Sequence, residues 1–148
     1  RCLGRQYQLT GPVTRGQQRG RSIGVPTANL QISALSGQAI PAEGVYAGFV
    51  ELPSGAEWPA AISVGRKPTF EHRRLSIEAH LLDYDGDLYN QQITIRFARW
   101  LRDQQVFAGV EALKSQLQHD IHQCRTWHAM GLTDPPDALR TIVADQSV

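Results

Sequence analysis

The 148-residue chain reads as a mainly β protein, a small antiparallel barrel with an α-helix packed on it toward the C-terminus. Three observations predict this. Apolar residues recur with a period of two through most of the chain before Phe107, Gly, Pro and Asp turns break that alternation about every ten residues, and after Phe107 the apolar period lengthens to about 3.6. Short strands at such spacing suit a small barrel, and one amphipathic helix can cover part of its outer face.

Taken in order, strands are expected at Tyr7–Thr14, Ala28–Ile32, Val45–Leu52, Trp58–Val64, Leu75–Leu82 and Gln92–Leu101. In the fifth, Leu75, Ile77, Ala79 and Leu81 share one face and Ser76, Glu78 and His80 the other. The run DYDGDLY, with Asp85-Gly86 at its centre, reads as a hairpin turn into ITIRFARWL, where Ile93, Ile95 and Phe97 share a face with Arg99 next in the alternation. A helix is expected from Val110 to Met130, stopped by Gly131, with Val110, Leu113, Leu117, Ile121 and Cys124 as its apolar stripe. Asp134 as cap, Pro135 in the first turn and Leu139, Ile142 and Val143 at helical spacing predict a second, short helix.

A chain of this length fits a single domain that buries roughly two-thirds of its unfolded surface, with no need of a metal or disulfide. Two cysteines, Cys2 and Cys124, make no framework, so a reducing, cytoplasmic setting is expected. No apolar run approaches a membrane span, and no signal peptide pattern opens the chain. Net charge is +1 but unevenly spread: residues 1–42 hold five arginines and no acid, while the rest hold ten Lys or Arg against all fourteen acids. A field confined to one segment suits a small phosphate ligand better than a nucleic-acid track, and Gly11–Leu30 contains no aromatic residue for stacking bases. No nucleic-acid or membrane partner is therefore expected.

The segment GPVTRGQQRGRSIGVPTANL, Gly11–Leu30, concentrates the chemistry. It places Gly11, Gly16, Gly20 and Gly24 and Arg15, Arg19 and Arg21 before Pro26-Thr27-Ala28-Asn29. Glycines admit a ligand close to the backbone, and arginines select an anion. It is not a P-loop, because three rather than four residues separate Gly16 from Gly20 and Arg21-Ser22 follows; nor does a long βαβ unit surround it. A flexible turn with solvated arginines is the alternative. Thr27 and Asn29, two apart at a strand entry, offer a hydroxyl and an amide oxygen to one side, a donor set suited to Mg²⁺ with phosphate, or else they satisfy local backbone.

Glu78 is the carboxylate singled out for acid–base work, since mid-strand on a polar face it is rigidly held; the alternative is an ion pair with Arg73, Arg74 or Arg96. Asp83, Asp85 and Asp87 fail as a calcium loop because Leu88 and Thr94 stand where a glycine and a glutamate are required. His119, His122, Cys124 and His128 lack the recurring spacing of a zinc site.

The blocks GRSIGVPTANL, PAEGVYAGFV, AAISVGRKPTF, IEAHLLDYDGDLY and ITIRFARWLRDQQVF occur in order, and together the stretch Leu3–Arg125 resembles riboflavin kinase. The resemblance is specifically to the C-terminal module of bacterial bifunctional riboflavin kinase/FMN adenylyltransferases. It implies a six-stranded Greek-key barrel with a C-terminal helix over residues 1–125, leaving 126–148 as an extension without an assigned role. It also implies ATP-dependent phosphorylation of riboflavin to FMN, with Mg²⁺, and LGRQYQLTG resembles the junction with an N-terminal adenylyltransferase half. By position, Thr27 and Asn29 correspond to residues that hold Mg²⁺ and the ATP phosphates, and Pro26 belongs to the same tetrad. Gly16, Arg19, Gly20, Arg21 and Gly24 correspond to the loop over the nucleotide, Glu78 to the general base, and Arg102 to a flap residue near flavin and phosphate. A barrel that binds flavin or nucleotide without catalysis is the rival, and a pure binder has no need of Glu78. Three departures from the family pattern are Val25, Asn90 in place of a glycine, and Ala108-Gly109 where a Ser cap is common.

Overall fold

The computed structural model describes residues 7–15, 24–35, 37–68, 73–131 and 141–142. In chain order the strands are β1 (Tyr7–Thr14), β2 (Ala28–Leu30), β3 (Ile40–Pro41), β4 (Gly44–Glu51), β5 (Glu57–Pro68), β6 (Arg73–Leu81), β7 (Gln92–Arg102) and β8 (Thr141–Ile142). Among the described residues, one helix, α1, spans Val110–Ala129, and one 3-10 turn, Ile32–Leu35, follows β2. Six of the strands close into an antiparallel barrel in the order β1-β2-β6-β5-β4-β7, with β7 returning to β1.

The expected alternation fills the barrel. Leu9, Tyr46, Val50, Ile62, Val64, Ile77, Ala79, Ile93, Ile95 and Phe97 are all buried in one core, where Tyr46 packs edge-on against both Phe97 and Trp100 at 5.1 Å. Burial of each large apolar side chain is worth roughly 1.5–3 kcal/mol, so a one-residue slip in any strand would turn its apolar set outward and is strongly opposed.

Two expectations fail at strand ends. Arg99 does not follow Phe97 inward: Ala47 pairs with Arg99 but Gly48 with Phe97, which leaves Ala98 as an extra residue in β7. This bulge reverses the alternation, so Arg99 is exposed and Trp100 joins the core instead. The hairpin after β6 also fails, because both edges of β6 are already taken by β2 and β5. The chain from Leu82 to Gln91 instead crosses the end of the barrel, burying Leu88 and exchanging backbone bonds with Val13 through Asn90 N–H and the Gln91 carbonyl. Asp83 and Asn90 take the left-handed conformation at φ 59° and 64°, which Asn and Asp tolerate best after glycine, so the Asn90 departure keeps the turn.

Helix α1 starts from Gly109 with no side-chain cap and ends at Gly131, φ 64°. Cys124 and Trp127 are buried on the outside of the barrel with Ala47, Leu82 and Ala98, and Ile121 packs beside them. Val110, the first member of the predicted stripe, is exposed. Burial, and secondarily the charge of Asp120, push the Cys124 thiol up to about 12, so it is a packing group rather than a nucleophile. Asp83 and Arg125 form two hydrogen bonds of 2.6 and 2.8 Å between the crossing loop and the helix. The Arg125 guanidinium holds the Asp83 carboxyl below its usual value, and Asp83 in turn raises Arg125. Among the described residues, no helix is long and apolar enough to cross a membrane.

The short helix expected near the C-terminus is corrected at its described residues. Thr141–Ile142 is a strand, antiparallel to Ile40–Pro41, with Ile142 opposite the buried Ile40. The β-branched Thr-Ile pair finds an open strand edge there, and that partner overrides the helical spacing.

Candidate active site

Register brings the sequence's chemical residues into one row. Across neighbouring antiparallel strands, Thr14 is opposite Asn29, Asn29 opposite Glu78, and Glu78 opposite Ser63. Directly opposed residues point to the same face with Cβ atoms about 5 Å apart. Because Ala28, Leu30, Ile77 and Ala79 fill the interior, this row lies on the outer face of the sheet. Asn29 is buried, Glu78 is half-buried, and the Ser76 hydroxyl donates to Glu78 Oε1 at 3.4 Å. Arg96, one of the three arginines weighed as a partner of Glu78, is paired with Glu57.

On the Asn29 side of Glu78 lies a cleft of about 280 Å³ at the barrel end, walled by Thr14, Arg15, Pro26, Thr27, Asn29 and the crossing loop from Tyr84 to Tyr89. The Arg15 guanidinium stacks 4.7 Å from the centre of the Tyr89 ring on its rim. Gly24 enters this segment at φ 81°, a conformation that suits only glycine without strain. Thr27, Asn29 and the Asp87 carboxylate give the cleft hard oxygen donors. Such a set fits Mg²⁺, which keeps several waters and takes its remaining ligands from substrate phosphates. His80, two residues past Glu78, places its Nδ1 2.7 Å from the Pro26 carbonyl oxygen.

On the Ser63 side lies a second cleft of about 290 Å³, lined by Glu43, Ser63, Gly65, Arg66, Ser76, Gln104, Gln105 and Val106. Glu43 and Arg66 pair at 2.9 Å, and Gln104 Nε2 donates to the Ser63 hydroxyl at 2.8 Å and the Val64 carbonyl at 2.9 Å. Val106 is fully exposed beside these polar groups. The cleft thus offers hydrogen-bonding side chains with an apolar lip.

The structure therefore brings Pro26, Thr27 and Asn29 to one cleft and places Gly24 at the segment's entry; Glu78 lines neither cleft but is opposite Asn29 of the first and Ser63 of the second. Gly16, Arg19, Gly20 and Arg21 lie outside the described residues. Arg102 lines neither cleft: its Nε and Nη2 donate to the two carboxylate oxygens of Asp120 on α1 at 2.8 and 2.7 Å, and Gln116 adds a third bond to that carboxylate. Arg102 still ends the same register row, opposite Val45, which is opposite Ser63. Sequence reasoning missed Ser63, Ser76 and Gln104, which have no local pattern, and Asp120, which does: Leu113, Leu117, Asp120, Cys124 and Trp127 follow a 4-3-4-3 spacing that puts an acid on the packed face.

A carboxylate fixed between an oxygen-rich cleft with a basic rim and a second, hydrogen-bonding cleft can take a proton from a hydroxyl held on one side as that hydroxyl attacks a group held on the other. A family model for riboflavin kinase, Flavokinase, matches residues 3–128. The bifunctional riboflavin kinase/FMN adenylyltransferase of Pseudomonas fluorescens is 39% identical over 126 residues, 84% of this chain and 39% of that protein. Its namesake from Escherichia coli K12 is 36% identical over 133 residues, 90% of this chain and 41% of that protein. The chain thus spans about two-fifths of the length of these relatives. Among solved structures, a macrolide-efflux protein from Streptococcus pneumoniae matches with a TM-score of 0.74 at 34% identity, over 82% of this chain and 39% of that one. The riboflavin kinase of Trypanosoma brucei shares the fold, with a TM-score of 0.53 at 22% identity over 86% of this chain and 83% of that one.

Proposed function

This chain belongs to the riboflavin kinase family, and we propose that it transfers the γ-phosphoryl group of ATP to the ribityl 5′-hydroxyl of riboflavin, giving FMN and ADP. The observation that carries the proposal is the row Asn29–Glu78–Ser63, in which one carboxylate stands between two clefts of similar size. In this reading the nucleotide takes the cleft of Thr27, Asn29 and Arg15, and riboflavin takes the cleft of Ser63, Ser76 and Gln104, with its apolar ring against Val106.

Phosphoryl transfer asks mainly for positioning and charge neutralisation. Glu78 orients the 5′-hydroxyl and accepts its proton as the new O–P bond forms, while the β–γ bridging bond breaks and ADP leaves. Thr27 and Asn29 would hold Mg²⁺, which supplies charge neutralisation at the phosphates. Arg15 adds positive charge at the rim, and Arg19 and Arg21, with Gly16, Gly20 and Gly24, are assigned to the loop over the phosphates. Arg102, the last residue of β7, is assigned to the flap near flavin and phosphate, at the point where the connection 103–109 leaves the strand. The kinase unit is assigned to residues 1–125 and 126–148 to an extension, the last turn of α1 to Ala129 lying across that boundary. The named activities of the relatives further suggest that an FMN adenylyltransferase domain accompanies this unit, and that it works in the cytoplasm.

Glu78→Gln tests the central role. Loss of the base should lower kcat by about 10²–10⁴-fold while riboflavin and ADP·Mg²⁺ still bind by titration calorimetry. Normal turnover by the variant would remove Glu78 from the mechanism.

A further inference from the structure

We propose that His80 is a positioning residue, which fixes the Pro26–Asn29 segment for the nucleotide through a hydrogen bond to one carbonyl. His80 is on the same face of β6 as Glu78, half-buried, with Nδ1 2.7 Å from the Pro26 carbonyl oxygen. A carbonyl only accepts, so Nδ1 carries the proton and donates. Proline has no N–H, so the carbonyl is the one backbone hydrogen-bonding group that Pro26 itself offers, and it lies in the Pro26–Thr27 peptide plane.

That hold matters because the sheet does not reach Thr27. The β2 ladder to β6 begins at Ala28, opposite Ala79, and Asn29 is further fixed by Thr14 and Glu78 on either side. Upstream, Gly24 turns the chain at φ 81° and offers no side chain to hold it. Thr27 thus stands between a ladder that starts one residue later and a glycine turn, and the bond from His80 to Pro26 ties the segment on the far side of it. The same strand then sets both the base, through Glu78, and the oxygen-donor segment, through His80, in a reaction where small misplacements are expensive.

The inference rests on the nucleotide reading of this cleft, and its test is separable from that of the catalytic reading. ADP with Mg²⁺ is titrated calorimetrically into the wild-type chain and into His80→Ala, His80→Asn and His80→Gln, with riboflavin titrated in parallel. The Ala variant should bind ADP about tenfold more weakly, the equivalent of one net hydrogen bond, with riboflavin affinity unchanged. Asn, whose side-chain amide N–H sits where Nδ1 sits, should recover affinity to within about threefold of wild type, and Gln, which mimics Nε2, should not. The Asn and Gln pair decides the matter even where Ala fails to fold. Equal ADP affinity across the variants, equal losses in Asn and Gln, or a parallel loss of riboflavin binding would overturn the positioning role. Absence of FMN formation by the wild type alongside His80-dependent ADP binding would sink the kinase reading and leave this one standing.

Discussion

A side chain at position 48 has no room: a Cβ added to Gly48 would overlap the Arg96 carbonyl oxygen and come within 2.7 Å of Cδ1 of Ile62. The obstacle on the β7 side is backbone, so β4 and β7 must part to admit it. Overpacking of this kind costs typically about 1–3 kcal/mol. Gly48→Ala should fall near the upper figure in urea denaturation; a loss below 0.5 kcal/mol, on the order of an ordinary surface change, would contradict the close approach at the β7 bulge. Neither the glycine's reason nor the bulge was legible in sequence. ITIRFARWL alternates cleanly through Phe97, and nothing local in Ala98-Arg99-Trp100 announces that the period slips. Glu78 and His80 were legible as a face of one strand, whereas what each meets lies on other strands.

At the scale of the element, α1 is held by one buried ion pair and one aromatic end. Asp120 is 2% exposed and the Arg102 side chain 14%, so removing the carboxylate strands a guanidinium away from water. Breaking a buried pair from one side costs roughly 3–5 kcal/mol, and Asp120→Ala should lose about 3 kcal/mol in the same measurement. A loss under 1 kcal/mol would mean the pair is solvated. At the other end, His128 packs edge-on against Phe49 at 4.7 Å, and burial holds its pKa below the ordinary value of 6.5 against an opposing hydrogen bond with the Gly48 backbone. The folded state therefore binds this proton less readily than the unfolded one, and its contribution to stability is present above pH 6.5 and lost as pH falls below it. Tm should decline from pH 7.5 to 5.5, and His128→Phe should flatten part of that decline; an unchanged slope would contradict the assignment. The helix and all six barrel strands were readable to within about four residues, the far end of β5 being the furthest off, because long periodic runs carry their own signal. The crossing loop after β6 was not, since Asp85-Gly86 marks a reversal without saying which strand receives the chain. The same holds for Thr141–Ile142, whose partner, Ile40–Pro41, is remote in sequence.

At the scale of the molecule, the barrel's register converts scattered residues into a site. Thr14, Asn29, Glu78 and Ser63 come from four strands and line up only when those strands close in the order β1-β2-β6-β5. Thr27, Asn29 and Glu78 could be chosen from the sequence by chemistry and by resemblance. Their juxtaposition, the second cleft and the capture of Arg102 by Asp120 depend on pairing that no local pattern encodes. The two clefts on either side of Glu78 make one claim above the others, that a single carboxylate separates phosphoryl donor from acceptor. The most direct measurement is to incubate the chain with riboflavin, ATP and Mg²⁺ and separate the flavins by chromatography. FMN should form with wild type only when ATP and metal are both present, and should fall to trace levels with Glu78→Gln. Riboflavin recovered unphosphorylated from a wild-type chain that binds both ligands would contradict the account.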